Sequence, residues 1–249
     1  ATVTKSTGGV VTLSGVNTLS GAMDILAGTL AVVGAGTLTS GSVTVSGAGT
    51  TLTLGNTVQS VGAFRLVDGV VEVGTLSATR FGLENGLVSA VLAGGATVSK
   101  GTSGVVTLSG VNALTGSMDI LAGTLAVEGS GLLTSGSVTV SGAGTVLTLG
   151  NTVQSVGAFR LVDGVVEMGT LSATRFGLEK GLVSGVLTGG AVVTKSTSGV
   201  VTLSGANTLT GSMDILAGTL AVEGVGLLTS GSVTVRSEEH TSELQSRVD

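Results

Sequence analysis

The sequence of 249 residues contains no cysteine, proline, tryptophan or tyrosine, and its one histidine is His240. Without cysteine the chain can hold neither a disulfide nor a thiolate-bound metal, which fits export across a cell envelope without proving it. Without a histidine before residue 240, the preceding chain has no Ser-His-Asp triad and no histidine-bound metal. We therefore expect no catalytic residue, no metal and no cofactor, and we expect that the protein is not an enzyme.

Charge is also scarce. Charged residues make up 10% of the chain, compared with about 25% in a typical soluble protein, and the net charge is −5. The sequence has no basic patch and no set of aromatic side chains on which bases could stack, so nucleic acid is not an expected partner. No apolar run reaches the length of about 18 residues that a membrane-spanning helix needs, and none is predicted.

The sequence consists largely of a long repeat. Residues 1–95 return at 96–190 with 14 substitutions, and a third copy runs from 191 to 235. We call these segments repeat 1, repeat 2 and partial repeat 3. A repeat this regular predicts an extended array in which each unit packs on its neighbours, and not a globular domain around one active site.

The last segment, 236–249, departs from the repeat. Its residues are mostly charged or polar, and 236–246 reads as the translation of a common short-read sequencing adapter. We interpret 236–249 as a non-native artefact tail and leave it out of the functional argument.

Each repeat has the pattern of short strands joined by glycine-rich corners. Apolar and polar residues alternate in the segments 28–32 and 41–47, and Met23 and Ile25 are predicted to point inward on either side of Asp24. Glycine is 44 of the 249 residues and gives tight corners the left-handed backbone they use. This pattern predicts an all-β chain coiled as a β-helix (β-solenoid), with roughly four or five coils in each repeat.

One segment leaves two structures open. The residues 67–70 read Val-Asp-Gly-Val between two strand-like runs. Asp-Gly in that position is typical of a tight antiparallel hairpin. The alternative, which we favour, is a corner of the coil that uses the same glycine freedom.

A cluster of charged residues is the main candidate for chemistry. It contains Arg65, Asp68, Glu72, Arg80 and Glu84, and repeat 2 contains it again as Arg160, Asp163, Glu167, Arg175 and Glu179. A pair of carboxylates can catalyse glycoside hydrolysis. Exposed ion pairs beside a turn explain the same residues, and an active site is not expected to recur intact 95 residues later. We favour the ion-pair interpretation.

Two further sets of residues are given structural roles. Phe64 and Phe81 are predicted to lie in the core and not to form a platform for sugars. Asn17, Asn112 and Asn207 are predicted to cap corners by hydrogen bonds from their side chains to the backbone.

The segment 11–32 and its copies at 106–127 and 201–222 resemble the autotransporter-associated β-strand repeat, also called the passenger-associated transport repeat. The matching positions are Leu13, Ser14, Gly15, Asn17, Thr18, Gly21, Ala27, Gly28, Thr29 and Leu30. Leu19 departs from the family, which has tyrosine there, and so do Met23 and Asp24. With similar flanking segments, the resemblance covers nearly all of 1–235.

This resemblance implies a right-handed parallel β-helix in a bacterial autotransporter passenger. Such a passenger is exposed at the cell surface or secreted, and an outer-membrane β-barrel outside this sequence would anchor it. We expect a non-catalytic stalk or adhesin whose partners are host-cell or matrix glycans and proteins, or neighbouring cells. The alternative is a carbohydrate-active β-helix enzyme that uses Asp68 and Glu72. An ice-binding threonine face is disfavoured, because Thr51 becomes Val146 in repeat 2.

Overall fold

The structure is a computed structural model that describes residues 1–150, 152–224 and 226–236. The interpretation of 236–249 as an artefact tail therefore lies outside the described residues, apart from Arg236. Within them the chain is all β, and its strands pair in parallel. No helix in this part of the chain could cross a bilayer. The predicted β-solenoid is confirmed, whereas its right-handed sense stays a prediction.

Short strands follow one another along each repeat. Repeat 1 contains β1 (Val3–Lys5), β2 (Val10–Leu13), β3 (Val16–Thr18), β4 (Ala22–Ile25), β5 (Thr29–Val32), β6 (Thr37–Val45), β7 (Thr51–Thr53), β8 (Val58–Leu66), β9 (Val70–Glu72), β10 (Thr75–Leu83), β11 (Gly86–Val88) and β12 (Val91–Gly94). Repeat 2 contains β13 (Thr97–Lys100), β14 (Val105–Leu108), β15 (Ala113–Leu114), β16 (Ser117–Ile120), β17 (Thr124–Val127), β18 (Ser137–Val140), β19 (Val146–Thr148), β20 (Val153–Leu161), β21 (Val165–Glu167), β22 (Thr170–Leu178), β23 (Gly181–Val183) and β24 (Val186–Gly189). Partial repeat 3 contains β25 (Val192–Lys195), β26 (Val200–Leu203), β27 (Ala206–Leu209), β28 (Ser212–Ile215), β29 (Thr219–Val222), β30 (Leu227–Thr229) and β31 (Ser232–Val235).

Each coil crosses three columns of stacked strands, which we call faces 1, 2 and 3. Face 1 begins with β1 and β4 and continues through the second halves of β6, β8 and β10. Within the described residues, face 2 is a separate sheet of 12 strands that begins with β2, β5, β7, β9 and β11. Face 3 begins with β3 and continues through the first halves of the same long strands. Repeat 1 supplies five strands to face 2, so each repeat forms five coils, the upper of the two predicted values.

The hydrogen-bond register keeps the repeats in step. One column of face 1 passes through Val3, Met23, Val43, Phe64, Phe81 and Val98. Val98 is the counterpart of Val3, so this column closes on the sequence period. On face 2, likewise, Val10 pairs with Thr29 and Val105 pairs with Thr124. At ~4.8 Å per coil, a stack of about 12 coils is about 58 Å long.

The core is the apolar interior of the stack. Met23, Ile25, Leu30 and Val32 are at most 4% exposed, whereas Asp24 points outward and is half-buried. The predicted alternation in these strands is therefore confirmed. It buries one residue in two, and the neighbouring coils supply the contacts that a single coil lacks.

Two details of the chain path come from the structure. Of the two structures left open for 67–70, the corner is confirmed and the hairpin is wrong, because β8 and β9 pair with strands of adjacent coils and Gly69 turns the corner between them with a φ of 120°. Gly41 does not form a corner but lies inside β6. A Cβ atom there would lie 2.5 Å from the carbonyl oxygen of Ser20 in the coil below. At Gly41 the lack of a side chain thus permits close approach of two coils.

Candidate functional site

The charged cluster forms ion pairs between neighbouring coils. Nε of Arg65 on β8 donates to Oε1 of Glu84 at 2.6 Å, and Glu84 follows β10 in the next coil. Repeat 2 has the same pair between Arg160 and Glu179. The arginine side chains are 58% and 57% exposed. These residues therefore form solvent-exposed ion pairs, which is the interpretation favoured from the sequence.

The two carboxylates proposed for hydrolysis are each held by a different neighbouring coil. Asp68 accepts a hydrogen bond of 3.0 Å from Nδ2 of Asn85, at a corner between faces 1 and 2. Glu72 lies on face 2 and accepts a hydrogen bond of 3.0 Å from the hydroxyl of Thr53. Both carboxylates therefore form hydrogen bonds between coils: Asp68 bonds to the coil above its own and Glu72 to the coil below.

The corresponding corner of repeat 2 contains a salt bridge. Lys180 stands where repeat 1 has Asn85, and its Nζ lies 3.0 Å from Oδ2 of Asp163. Glu167 keeps the bond to Thr148 at 3.0 Å. The aspartate at this corner therefore accepts a hydrogen bond from a neutral amide in repeat 1 and from a charged ammonium group in repeat 2.

Face 1 carries a groove above the ion pairs, which we call the arginine groove. It is lined by the outward residues of four consecutive coils and has a volume of about 660 Å³. Across β8 and β10, Arg65 lies beside Gly82 and Arg80 lies beside Ala63. The small residues leave open space between the two guanidinium groups. Ser42, Thr44, Thr97 and Ser99 border that space with hydroxyl groups.

The same groove occurs in repeat 2. It lies between Arg160 and Arg175 and has a volume of about 400 Å³. Its border retains Ser137 and Thr139, but Val192 replaces the hydroxyl side chain of Thr97. Among the described residues, Arg80 and Arg175 are exposed and form no salt bridge.

The phenylalanines lie in the core, as predicted. Phe64 and Phe81 are each 1% exposed, and their rings meet edge to face with centroids 6.0 Å apart. Phe159 and Phe176 repeat this contact at 6.1 Å. Both pairs lie directly beneath the arginine grooves, so they support the floor of each groove.

The asparagines join neighbouring coils: Asn17 bonds to Gly15 in its own coil and to Thr37 in the coil above, and Asn112 bonds to coils on both sides. Asn112 is 2% exposed, and its Oδ1 accepts a hydrogen bond of 3.0 Å from the backbone N–H of Leu92 in the coil below. Its Nδ2 donates to the carbonyls of Gly110 at 3.1 Å and of Leu132, in the coil above, at 3.0 Å. Asn207 bonds in the same way to Leu187 and Gly205. The predicted structural role of Asn112 and its counterparts is confirmed.

Buried lysines are a feature that sequence reasoning missed. Lys100 and Lys195 are fully buried and Lys5 is 7% exposed. Nζ of Lys100 donates to the carbonyls of Thr102 and, at 3.0 Å, of Ala122 in the next coil. Burial lowers the pKa of Lys100 and of Lys195, and the charge of Glu84 or Glu179 partly opposes that effect. The signal was the strand phase, because Lys100 follows the inward Val98 by two residues.

Sequence reasoning also missed two buried glutamines, although their phase in the strands places them inward. Gln59 and Gln154 are fully buried. Oε1 of Gln59 accepts from the backbone N–H of Leu38 at 2.5 Å, and its Nε2 donates to the carbonyl of Leu54 at 3.2 Å. These side chains satisfy backbone groups that the ladder of face 3 leaves unpaired. Among the described residues, no group of acidic or histidine side chains could hold a metal ion.

Comparison with known families identifies one repeat. The passenger-associated-transport-repeat matches the chain three times, at residues 3–32, 103–127 and 193–222. The first match extends from β1 to the end of β5, the second covers β14 to β17 and begins after β13, and the third extends from β25 to the end of β29. No curated protein and no solved structure matches the chain. The resemblance inferred from 11–32 and its copies is confirmed.

Proposed function

Because the chain carries three passenger-associated transport repeats on a continuous β-solenoid, we propose that it is a non-catalytic stalk or adhesin segment of an autotransporter passenger. In this role the solenoid extends from the bacterial surface or is secreted, and it presents its faces and any distal module to host-cell or matrix glycans and proteins, or to neighbouring cells.

The observation that carries this proposal is the recurrence of the main contacts between coils. Strands β20 and β22 pair in the same register as β8 and β10, the strands of face 2 pair alike in both repeats, and the charged cluster recurs with its ion pair intact. Such a stack transmits force along its axis through parallel ladders of hydrogen bonds. Its function scales with length, which is what a stalk requires and a single active site does not.

The charged cluster also supports a non-catalytic role. Glycoside hydrolysis needs two carboxylates that face one substrate, about 5–10 Å apart across a cleft. Asp68 bonds to Asn85 at a corner and Glu72 bonds to Thr53 on face 2. Both carboxylates are engaged by the coil stack, and the arginine groove on face 1 is lined by neither of them.

The test is surface labelling of the bacterium that carries this gene. An antibody raised against one 95-residue repeat is applied to intact and to permeabilised cells, and culture medium is probed in parallel. We expect labelling of intact cells or recovery of the repeat from the medium. Labelling that appears only after permeabilisation would contradict the proposal.

Recovery of the uninterrupted gene across the codon for Val235 sharpens this test. We expect the repeat frame to continue past residue 235 and to replace the sequence at 236–249. A genomic sequence that encodes 236–249 in frame would overturn the interpretation of that segment as an artefact, and the tail would then belong to the protein.

A further inference from the structure

The arginine groove has the features of a binding site for a small anion that carries hydroxyl groups. Its volume of about 660 Å³ lies within the range of small-molecule sites. It offers the exposed guanidinium of Arg80, which forms no salt bridge among the described residues, and a border of serine and threonine hydroxyls. We propose that each arginine groove binds a carboxylated sugar residue at the end of a glycan.

The charge of the groove comes from two arginines in different states. The guanidinium of Arg65 is held by Glu84, whereas Arg80 has no carboxylate partner among the described residues. Arg80 lies one coil above Arg65 and diagonally across face 1, because it pairs in register with Ala63. An unpaired guanidinium presents a planar fork of donors that matches a carboxylate with two parallel hydrogen bonds.

The hydroxyl groups favour a sugar over a simple carboxylate. Ser42 and Thr44 border the groove on the coil below β8, and Thr97 and Ser99 border it on the coil above β10. These side chains can both donate and accept hydrogen bonds. Ring hydroxyls of a bound sugar would therefore find partners on both sides while its carboxylate meets Arg80.

Acidic residues on either side of the groove favour a ligand with a single carboxylate over a polyanion. Along the outward row of face 1, Asp24 lies two coils below Arg65, and Asp119 lies two coils above Gly82. Two coils correspond to ~10 Å, which is about one Debye length at physiological salt. A polyanion laid along face 1 would meet these carboxylates, whereas a single terminal carboxylate at Arg80 would not.

The second groove makes binding bivalent. Arg175 is the counterpart of Arg80, five coils further along the same face, which places the two sites ~24 Å apart. A single exposed arginine–carboxylate contact is weak, but two sites on one rigid rod engage a surface that displays many glycans with a large gain in avidity. The inference rests on the proposed surface role, although that role does not require it.

The test measures binding of the 249-residue chain to immobilised polymers. The probe is a polyacrylamide that displays 3′-sialyllactose, a trisaccharide that ends in a carboxylated sugar. The same polymer with lactose is the neutral comparison, and heparin is the polyanion. We expect binding to the sialylated polymer that exceeds binding to both comparisons by about tenfold or more, since it depends on a charge-assisted contact.

Three variants, two of them double, separate the groove from general electrostatics. Arg80→Gln/Arg175→Gln removes both free guanidinium groups and should weaken binding by about tenfold or more. Lys180→Asn removes a positive charge at a corner outside the groove and restores the residue that repeat 1 has there, so it should bind as the unaltered chain does. Arg80→Lys/Arg175→Lys keeps the charge without the planar fork and should lie between.

Three results would overturn the proposal. They are no binding of the unaltered chain to the sialylated polymer, equal binding to heparin, and equal loss in the Lys180→Asn variant. Circular dichroism of each variant shows whether the solenoid is intact, and the exposed arginines are not expected to affect it. Failure here leaves surface labelling of intact cells unchanged, so the stalk proposal stands or falls separately.

Discussion

The polar residues inside the coil and those outside it do opposite things, although both recur every 95 residues. Inside, Lys100, Asn112 and Gln154 each satisfy backbone groups of a neighbouring coil while they are at most 2% exposed. Outside, Arg160 and Glu179 pair with each other in solvent. Polar groups buried with their partners are costly to lose, whereas exposed ion pairs contribute little. Burial, and not recurrence in each repeat, therefore indicates how much a polar residue contributes to stability.

The largest difference in stability is expected between a buried and an exposed cationic residue that are each replaced by methionine. Lys100→Met leaves the carbonyls of Thr102 and Ala122 without their donor, and it should lower the free energy of unfolding by about 2 kcal/mol. Arg160→Met breaks only the exposed pair and should change it by less than about 0.5 kcal/mol. Urea denaturation followed by circular dichroism measures both. Equal effects of the two substitutions would remove the distinction between inside and outside.

Amide hydrogen exchange shows which coils lose stability in the Lys100→Met variant. Because each coil contacts only its neighbours, Lys100→Met should raise exchange rates most in the coils around β13 and β16. Uniform loss of protection along the whole stack would argue against local bridging by Lys100.

A smaller effect is expected from pH. Burial lowers the pKa of Lys100 and Lys195 below the ordinary lysine value of 10.5, so near that pH the unfolded chain binds more protons than the folded chain. The free energy of unfolding should therefore rise as the pH rises from the lowered pKa values towards 10.5. The measurement is the midpoint of urea denaturation at several alkaline pH values, and we expect this midpoint to rise with pH.

The control for that pH dependence is the double variant Lys100→Met/Lys195→Met. It retains Lys5, Lys180 and the arginines, so any difference between its pH profile and that of the unaltered chain belongs to the two buried lysines. Parallel profiles would mean that the buried lysines do not titrate in this range.

The smallest effect concerns the corner at which the repeats differ. Lys180→Asn converts the salt bridge with Asp163 into the neutral contact that Asp68 makes with Asn85. The stability should change by less than about 0.5 kcal/mol, and addition of salt should erase what difference there is. A loss several times larger would place this ion pair among the interactions that hold the coils.

Much of the fold follows from the sequence because two signals agree. The period of two identifies Met23 and Ile25 as inward residues, and the 95-residue repeat identifies a stack. Neither signal shows where a strand ends. Strands β6, β8 and β10 run through the corner between faces 3 and 1, because glycine or a small residue there bends the strand without breaking its ladder.

The candidate site was harder to predict for a physical reason. The sequence identifies Arg80 and Glu84 as charged, but whether a charge is paired depends on the coil above or below, about 20 residues away. Arg65 reaches Glu84 only through the register that sets Gly82 beside it. The buried lysines were missed because lysine is rarely buried in proteins, although its phase in β13 already places Lys100 inside.

The closure of the register on the sequence period has a consequence for heredity. Because the column through Val3 returns to Val98 and again to Val193, a gene that gains or loses one whole unit encodes a chain in which every coil still meets its accustomed neighbour. Unequal crossing-over between near-identical DNA copies can then lengthen or shorten the rod in steps of ~24 Å. Each step would also add or remove one arginine groove. A lineage could thus vary reach and valency together, in one mutational event, without a poorly folded intermediate.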